Sequence, residues 1–442
     1  MLKPEIPSFD LDRWLEHIQS QHSRTIDLTL DRVRQVWQAL GCPQPEFNVV
    51  VAGTNGKGSS ISILESVFAC TGKRTGAYTS PHLVRFNERI RINRSEATDD
   101  EICHAFRTIE AARGGVPLTY FEYGTLCALL VFSRKNVEVG LLEVGMGGRL
   151  DAVNMVESDI VLITSIGIDH EQWLGSDREK IGAEKAGVIR ENGVVVCADP
   201  EIPGSILRTA SERNATLLVA DVDYGIRRSG NAFDWESRHA VIPASWRRLE
   251  NMHVPYPGDH QFSNLGGSIA VVCATVDKVG TTREDLQRGL RQARIAARCQ
   301  VIRETPCVVV DVAHNRDSAV QLSRFLEARP CRGRTVAVFG VLADKVLDRI
   351  VLPLERLTDH WYLATLGGDR GQTAENLGAR LDRVLDNPLW SVHGSPARAY
   401  ARALLEAGNE DRIVIFGSFQ TVGDIMADLR DRGIRADHPG QG

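Results

Sequence analysis

Residues 47–60 read "FNVVVAGTNGKGSS", and this stretch decides both the fold class and the first functional expectation. The apolar run reads as a buried strand. Gly53, Gly56 and Gly58 make the turn that follows glycine-rich, and a helical pattern opens directly after it. A strand feeding such a turn offers backbone N–H groups and the positive end of a helix to phosphate oxygens. Lys57 stands where it can reach terminal phosphates, and Ser59 where it can hold Mg²⁺. The spacing departs from G-x-x-x-x-G-K-[ST], because Gly58 separates the lysine from the serine. A plain tight turn with a solvent lysine needs fewer special residues than these.

Outward from this loop, short apolar runs alternate with helical patterns. Strands are expected at 47–53, 137–145, 159–167, 193–198 and 215–220, then at 307–315, 334–340, 360–366 and 412–418. Strand and helix in alternation imply a mostly parallel sheet covered on both faces. Residues 222–260 have a different texture, rich in Trp, Arg, Pro and Gly, and suggest small antiparallel strands followed by a helical pair. The alternation restarts after "IAAR", which places a domain boundary near 296–298. The expected class is α/β: an N-terminal, mostly parallel P-loop-type ATPase domain over 1–296 and a smaller Rossmann-like α/β domain over 297–442.

Composition narrows the function. The chain has 442 residues, 43% of them hydrophobic and 25% charged, which describes a soluble protein of two or three domains. A net charge of −5 with no long basic run argues against a nucleic-acid binder that relies on bulk electrostatics. No segment has the length of a membrane span or the apolar stretch of a signal peptide. Nine cysteines without a C-x-x-C pair suggest neither structural zinc nor a disulfide framework, so a reducing cytoplasm is the expected home.

In doubly wound sheets, ligands bind beyond the carboxyl ends of the strands. Several polar residues fall there. Glu143 closes one strand before the turn "VGMGGRLDAVN"; it either pairs with Arg149 or binds metal. His170, in "TSIGIDHEQW", is either structural or a ligand. With Ser59 these two offer the sparse, mixed donors that Mg²⁺ accepts while it keeps waters. Ser80 and His82 follow a short strand in "YTSPHLVRFNERIRI", where Arg85, Arg89 and Arg91 read either as a solvated strand face or as contacts to an acidic substrate. "LTYFEYGT" sets aromatics around Glu122, reading as core at a helix start or as a seat for a flat heterocycle with N–H donors; for Tyr123 core is the preferred reading. Lys185, in "AEKAGVI", alone reads as a salt-bridged surface lysine.

Taken in order, "HSRTIDLTLDRV", "VAGTNGKGSS", "YTSPHLVRFNERIRI", "LTYFEYGT", "LEVGMGGRLDAVN", "TSIGIDH", "EKAGVI", "DVAHN" and "FGSFQTV" resemble the bifunctional dihydrofolate synthase/folylpolyglutamate synthase family of the Mur ligase superfamily. The resemblance runs from residue 22 to 422. It implies a ligase in which ATP phosphorylates a substrate carboxylate and the amine of L-glutamate attacks the acyl phosphate. The carboxylate would belong to 7,8-dihydropteroate or to a reduced folate. ATP would lie on Thr54, Asn55, Gly56, Lys57, Gly58 and Ser59, with Asn264, Arg298 and Asp311. Mg²⁺, in two ions, would take Ser80, Glu143 and His170, with Ser59 near the phosphates and Lys185 as a carbamylated ligand. Lys57, Lys185 and His170 would carry the catalysis. Pteroate would lie on Thr25, Ile26, Asp27 and Leu28, on Thr119, Tyr120, Phe121 and Glu122, and on Leu150, Asp151 and Ala152. His314 and Ser418 would lie on the glutamate side of an interdomain cleft. The partners are then small molecules, with no nucleic acid and no membrane, acting on a monomer.

The departures from the family pattern are local. Its Pro-Gly-Arg-Phe linker is here "AARCQ" (296–300), "DAVN" replaces the more usual "DATN", and Gln420 stands where His is frequent. Alternatives are a single-activity synthase, another Mur ligase, or a nucleotide-binding regulatory protein that performs no ligation. An NAD(P)-dependent oxidoreductase would fit the alternation but needs a G-x-G-x-x-G that the first strand–turn–helix lacks.

Overall fold

In the computed structural model, which describes residues 9–22, 26–230, 232–255 and 260–434, the chain divides into two compact units with the main break between Arg294 and Ile295. Eight strands of the first unit share one sheet: β1 (Phe47–Ala52), β2 (Thr75–Tyr78), β3 (Ile90–Ile92), β4 (Ser95–Glu96), β5 (Val139–Glu143), β6 (Ile160–Ile163), β7 (Val194–Cys197) and β8 (Thr216–Val219). Their spatial order is β4-β3-β2-β5-β1-β6-β7-β8. In that order the strands from β2 across to β8 run parallel, while β3 pairs antiparallel with both β2 and β4. β1 is Asn48-Val-Val-Val-Ala52 after its first residue, buried throughout that run, as a central strand covered on both faces must be.

The register decides where chemistry can gather. Val51 pairs with Glu143, Ala52 with Ile163 and Tyr78 with Leu142, so β2, β5, β1 and β6 end level with one another. Four loops therefore leave the same rim side by side. The helix after β1, Lys57–Phe68, is buried on nearly every side rather than along one stripe. A second helix, Arg283–Gln292, packs against it so closely that a Cβ on Gly289 would stand 2.5 Å from Val67 Cα.

The 222–260 region forms the expected small antiparallel sheet, with β9 (Tyr224–Ser229), β10 (Ala232–Ser237) and β11 (Arg248–His253) in the order β11-β10-β9. Its buried Trp235 donates from Nε1 to the Gly266 carbonyl at 3.2 Å, bracing the helix His260–Ala274 that carries Asn264.

The second unit has its own six-stranded sheet: β12 (Gln300–Glu304), β13 (Cys307–Val310), β14 (Thr335–Phe339), β15 (His360–Ala364), β16 (Trp390–His393) and β17 (Arg412–Phe416). The order is β12-β13-β17-β14-β15-β16, parallel except at the β12 edge. The mixed α/β class expected from the alternation is the one found. The alternation did not reveal the two antiparallel edges: β3 and β4, of three and two residues, carry almost no periodic signal, and β12, "QVIRE", has only two apolar residues. Nor did it reveal the amphipathic helices Leu11–Ser20 and Asp31–Ala39.

The Gly289 contact generates a test of how tightly the phosphate-loop helix is held. Gly289→Ala gains helix propensity of about 1 kcal/mol, but it drives a methyl into backbone and so loses about 1–3 kcal/mol to overpacking. The expected outcome is a lower urea midpoint at unchanged slope; an unchanged or higher midpoint would show that the two helices can separate freely.

Candidate active site

The loop between β1 and the 57–68 helix is held from below by the segment that follows β6. Thr54 N donates to the Ser165 carbonyl at 2.7 Å, and Thr54 Oγ1 both donates to the Gly167 carbonyl and accepts from Gly167 N at 3.0 Å. Asn55 N donates to Ser165 Oγ at 3.2 Å, while Thr164 Oγ1 donates to the Asn55 carbonyl at 2.7 Å. Gly56 then turns left-handed, φ 91°, and opens the helix without any side-chain cap. The side chain of Asn264 lies over this turn, its Oδ1 2.0 Å from where a Cβ on Gly56 would stand. A helix end with uncapped N–H groups, beside a buried amide, is a cradle that suits phosphate oxygens.

Two lysines converge on one carbonyl. Lys57 Nζ donates to Gly53 O at 3.0 Å and to Thr54 O at 3.1 Å, and Lys185 Nζ donates to the same Gly53 O at 2.8 Å. Lys185 is buried rather than at the surface, so the salt-bridged surface reading fails. Burial first, and the charge of Lys57 second, push its pKa down to about 7 against the pull of Asp169 and Asp151. At neutral pH a large share of this amine is uncharged.

The neighbouring loops complete the group. Glu143, at the end of β5, accepts from Ser80 N at 3.1 Å, and a Cβ on Gly58 would stand 3.9 Å from its Oε2. This brings Ser80, Glu143 and the start of the 57–68 helix together. Arg149 pairs with Glu184 at 2.8 Å, which removes it as the partner considered for Glu143. Ser59 is buried in the first turn of the helix. His170 is left-handed, φ 54°, at the head of the short helix Glu171–Leu174, and its N–H donates to Asp169 Oδ1 at 2.8 Å. Among the described residues no three His, Cys, Asp or Glu side chains form a ready metal cage. One carboxylate with serine hydroxyls is instead an oxygen-rich, sparse donor set, which suits Mg²⁺.

The segments expected to hold a heterocycle also meet. Thr119 and Glu122 form a reciprocal capping box at the start of the helix Tyr120–Arg134, with Thr119 N donating to Glu122 Oε2 at 2.7 Å. Arg32 joins Glu122 to Asp27, a contact that no local pattern announced. Ile26, Asp27 and Leu28 are half-buried; Thr25 lies outside the described residues. The Phe121 ring lies over Gly145, 2.6 Å from a Cβ placed there, and 6.0 Å from the Tyr78 ring. Asp151 accepts from Met146 N and Val153 N at 2.9 and 3.0 Å, and burial pushes its pKa up to about 7. Leu150 is half-buried beside it and Ala152 buried. Tyr123 is core, as preferred, with its hydroxyl on Glu110 at 2.8 Å.

The arginine stripe is largely committed elsewhere. Arg91 makes three contacts of 2.9–3.2 Å with the buried Glu65 carboxylate, and Arg89 lies over the rings of Phe86 and Tyr120 at 5.5 and 5.3 Å. These two belong to the packing rather than to a substrate face.

In the second unit, Asp311 accepts from Cys299 N and Ala313 N, both at 2.7 Å, and so holds the turn that carries Arg298. Arg298 lies 5.7 Å from the Phe419 ring, and the His314 ring lies 6.0 Å from the same ring. Ser418 caps the helix Phe419–Asp431, accepting from Thr421 N at 3.0 Å. Phe419 is the residue that joins these elements, and the sequence offered only its place in "GSFQTV".

Comparison with known proteins follows the same division. Residues 51–272 match the Mur ligase middle domain, and residues 297–419 match the Mur ligase glutamate ligase domain. The dihydrofolate synthase/folylpolyglutamate synthase of Escherichia coli (strain K12) is 38% identical over 417 residues, 94% of each chain. The solved structure of E. coli FolC in complex with DHPP and ADP superposes with a TM-score of 0.89 at 37% identity, covering 96% of this chain and 99% of that one. A bifunctional folylpolyglutamate synthase/dihydrofolate synthase with Mn, AMPPNP and L-glutamate bound gives 0.87 at 37% identity, covering 96% and 100%.

The cradle predicts a specific sensitivity. Gly56→Ala adds left-handed strain of about 1–2 kcal/mol and collides with Asn264. Gly41, also left-handed at φ 81°, has nothing within 4 Å of its Cβ position, so Gly41→Ala carries the strain alone. Calorimetric titration with ATP is expected to show at least about tenfold weaker binding for Gly56→Ala and near-normal binding for Gly41→Ala. Equal affinities would remove Gly56 and Asn264 from the nucleotide site.

Proposed function

The chain belongs to the dihydrofolate synthase/folylpolyglutamate synthase family of Mur ligases, and from that membership we propose how its residues perform the family's ATP-dependent ligation. It is an ATP-dependent ligase that joins L-glutamate to 7,8-dihydropteroate, giving dihydrofolate, and to reduced folates, extending their glutamate tail. The observation that carries the residue assignment is the convergence of Lys57, Lys185, Glu143 and Ser80 at the head of the 57–68 helix.

A carboxylate is a poor electrophile with no leaving group, so it must first be activated. Residues 54–59 and Asn264 hold the triphosphate in line with the substrate carboxylate, whose oxygen attacks the γ-phosphorus as ADP leaves. The neutral amine of L-glutamate then attacks the acyl phosphate carbonyl; the new C–N bond forms, inorganic phosphate leaves and the nitrogen loses a proton. Lys57 and the helix N–H groups stabilise charge on the transferring phosphoryl group. Ser59, Ser80, Glu143 and His170 would hold the magnesium ions, which would supply further charge neutralisation when bound.

Lys185 serves as a carbamate. Its depressed pKa leaves a nucleophilic amine that adds CO₂ with loss of a proton, turning a buried cation into a carboxylate-like ligand. The first unit handles ATP and the pteridine substrate, with the pteroate end on Ile26–Leu28, Thr119–Glu122 and Leu150–Ala152. For the second unit, the family resemblance assigns Arg298 and Asp311 a nucleotide role and His314 and Ser418 a glutamate role. Nine free cysteines support a reducing, cytoplasmic setting, and no described helix is long and apolar enough to cross a membrane.

Phosphate release from ATP and Mg²⁺ with L-glutamate, run separately with 7,8-dihydropteroate and with tetrahydrofolate, tests the function. Mass spectrometry should find one added glutamyl unit in the first case and one or more in the second; turnover on a single substrate would make this a single-activity synthase. Phe121→Ala is expected to raise the dihydropteroate KM by about tenfold or more, the scale of a lost aromatic contact. An unmoved KM would refute the pteroate assignment. Stripping CO₂ from the buffer should lower kcat, with bicarbonate restoring it. Lys185→Arg, whose guanidinium stays charged, should be inactive with or without bicarbonate. A wild-type rate indifferent to CO₂ would exclude the carbamate.

A further inference from the structure

Arg32 stands at the start of the helix Asp31–Ala39 and reaches two carboxylates from distant parts of the first unit. Its Nη1 lies 3.2 Å from Asp27 Oδ2, and its Nη2 donates to the Asp27 carbonyl and to Glu122 Oε1, both at 3.2 Å. His22 Nε2 lies 3.6 Å from the same Asp27 oxygen. The Glu122 side chain is 4% exposed and that of Asp27 18%, so of the two, Asp27 is the one open to a ligand.

We propose that Arg32 is a positioning residue for the pteridine end of the substrate, holding Asp27 and Glu122 in the one arrangement that recognises a fused aminopyrimidinone ring. This rests on the pteroate reading above and extends it to a residue to which that reading gave no role. An aminopyrimidinone presents adjacent N–H donors, from its ring nitrogen and its exocyclic amine, and a carboxylate accepts such a pair edge-on. Two carboxylates brought together with no cation between them would repel and splay. A guanidinium prevents this because its planar fork engages both acids at fixed angles, which a single ammonium cannot copy. Counting these three groups, the pocket keeps one net negative charge, which favours N–H donors and disfavours the benzoate end of the same substrate. The ring is thereby directed to Asp27, and the carboxylate toward Lys57.

One feature separates this role from simple stapling of helices. Arg32 Nε is buried and makes no hydrogen bond among the described residues. A contact selected only for stability would satisfy that donor, since an unpaired buried polar group is costly. Its retention fits a side chain whose two terminal nitrogens are placed for geometry.

The experiment compares Arg32→Lys and Arg32→Gln with the parent enzyme, reading kcat, the KM values for dihydropteroate, ATP and glutamate, and the thermal midpoint. Positioning predicts a dihydropteroate KM raised about tenfold or more in both variants, from loss of a charged hydrogen bond. It also predicts kcat within about threefold and unchanged KM values for ATP and glutamate. Asp27→Asn combined with Arg32→Gln should then be no worse than Asp27→Asn alone, because Arg32 acts through that carboxylate. A parental KM in Arg32→Lys, or a fall of all parameters together with the midpoint, would overturn the proposal. If Arg32→Gln does not fold, Arg32→Lys decides alone. Phe121→Ala serves as the marker of the site itself. A response there without one at Arg32 sinks only the positioning role, whereas no response at either sinks the pteroate reading.

Discussion

The carbonyl of Gly53 is the point on which the first unit's chemistry turns. Two lysine amines donate to it, one from the phosphate-loop helix and one from the helix Arg178–Ala186. Two positive charges this close disfavour one another, so one amine yields its proton more readily. Burial selects Lys185 for that part. The loop itself is thereby fixed from three directions: from below by Thr164 and Ser165, from the side by Lys185, and from above by Asn264. Little conformational freedom is left to lose when a nucleotide binds.

Charge is arranged along the first unit as a gradient. The helix start and Lys57 make one end positive, while Asp27 and Glu122, sharing a single guanidinium, make the other end negative. Phe121 over Gly145 bridges them, because Gly145 lies two residues beyond Glu143 and Phe121 is next to Glu122. A substrate with N–H donors at one end, an aromatic middle and a carboxylate at the other is complementary to this order. The buried Glu65–Arg91 pair supports the arrangement from outside, since it ties the phosphate-loop helix to strand β3. Removing one partner of such a pair costs about 3–5 kcal/mol, which is why Arg91 is unsuited to leave it for a ligand.

How legible all this was in the sequence depended on range. The strand–turn–helix at 47–68 was plain, because its signal is contiguous and glycine-punctuated. Every parallel strand with four or more apolar residues was likewise visible. The candidate residues that stand at strand ends were visible by the same rule, since the end of an apolar run marks the rim. Contacts made across the fold were not. Nothing local tells that Arg149 pairs with Glu184 and so leaves Glu143, or that Arg91 turns onto Glu65. Arg32 sits within a quoted motif, yet its partners lie on two segments brought together only by folding. Lys185 read as a surface residue because a helical lysine in a charged stretch nearly always is one; its burial comes from packing against the phosphate loop.

The linker shows a different case, in which residues with a Cβ hold a left-handed turn. Where the family commonly has glycine, this chain has Ala297, and it still turns left-handed at φ 56°, with Cys299 left-handed at φ 46° on the other side of Arg298. Each such residue carries strain of about 1–2 kcal/mol that glycine would avoid. The neighbouring hydrogen bonds offset it. Ala297 N donates to Gln300 Oε1 at 2.9 Å, Cys299 N to Asp311 Oδ2 at 2.7 Å, and Val312 N to the Ala297 carbonyl at 3.1 Å. A turn held at both N–H groups and at a carbonyl is over-determined, so it can keep a conformation its residues do not prefer. Asp311 therefore acts on the backbone as well as at the strand end where the sequence singled it out: its carboxylate fixes the direction in which Arg298 leaves the chain. Side-chain hydrogen bonds hold the turn where glycine is absent, and what it presents is one guanidinium set against Phe419.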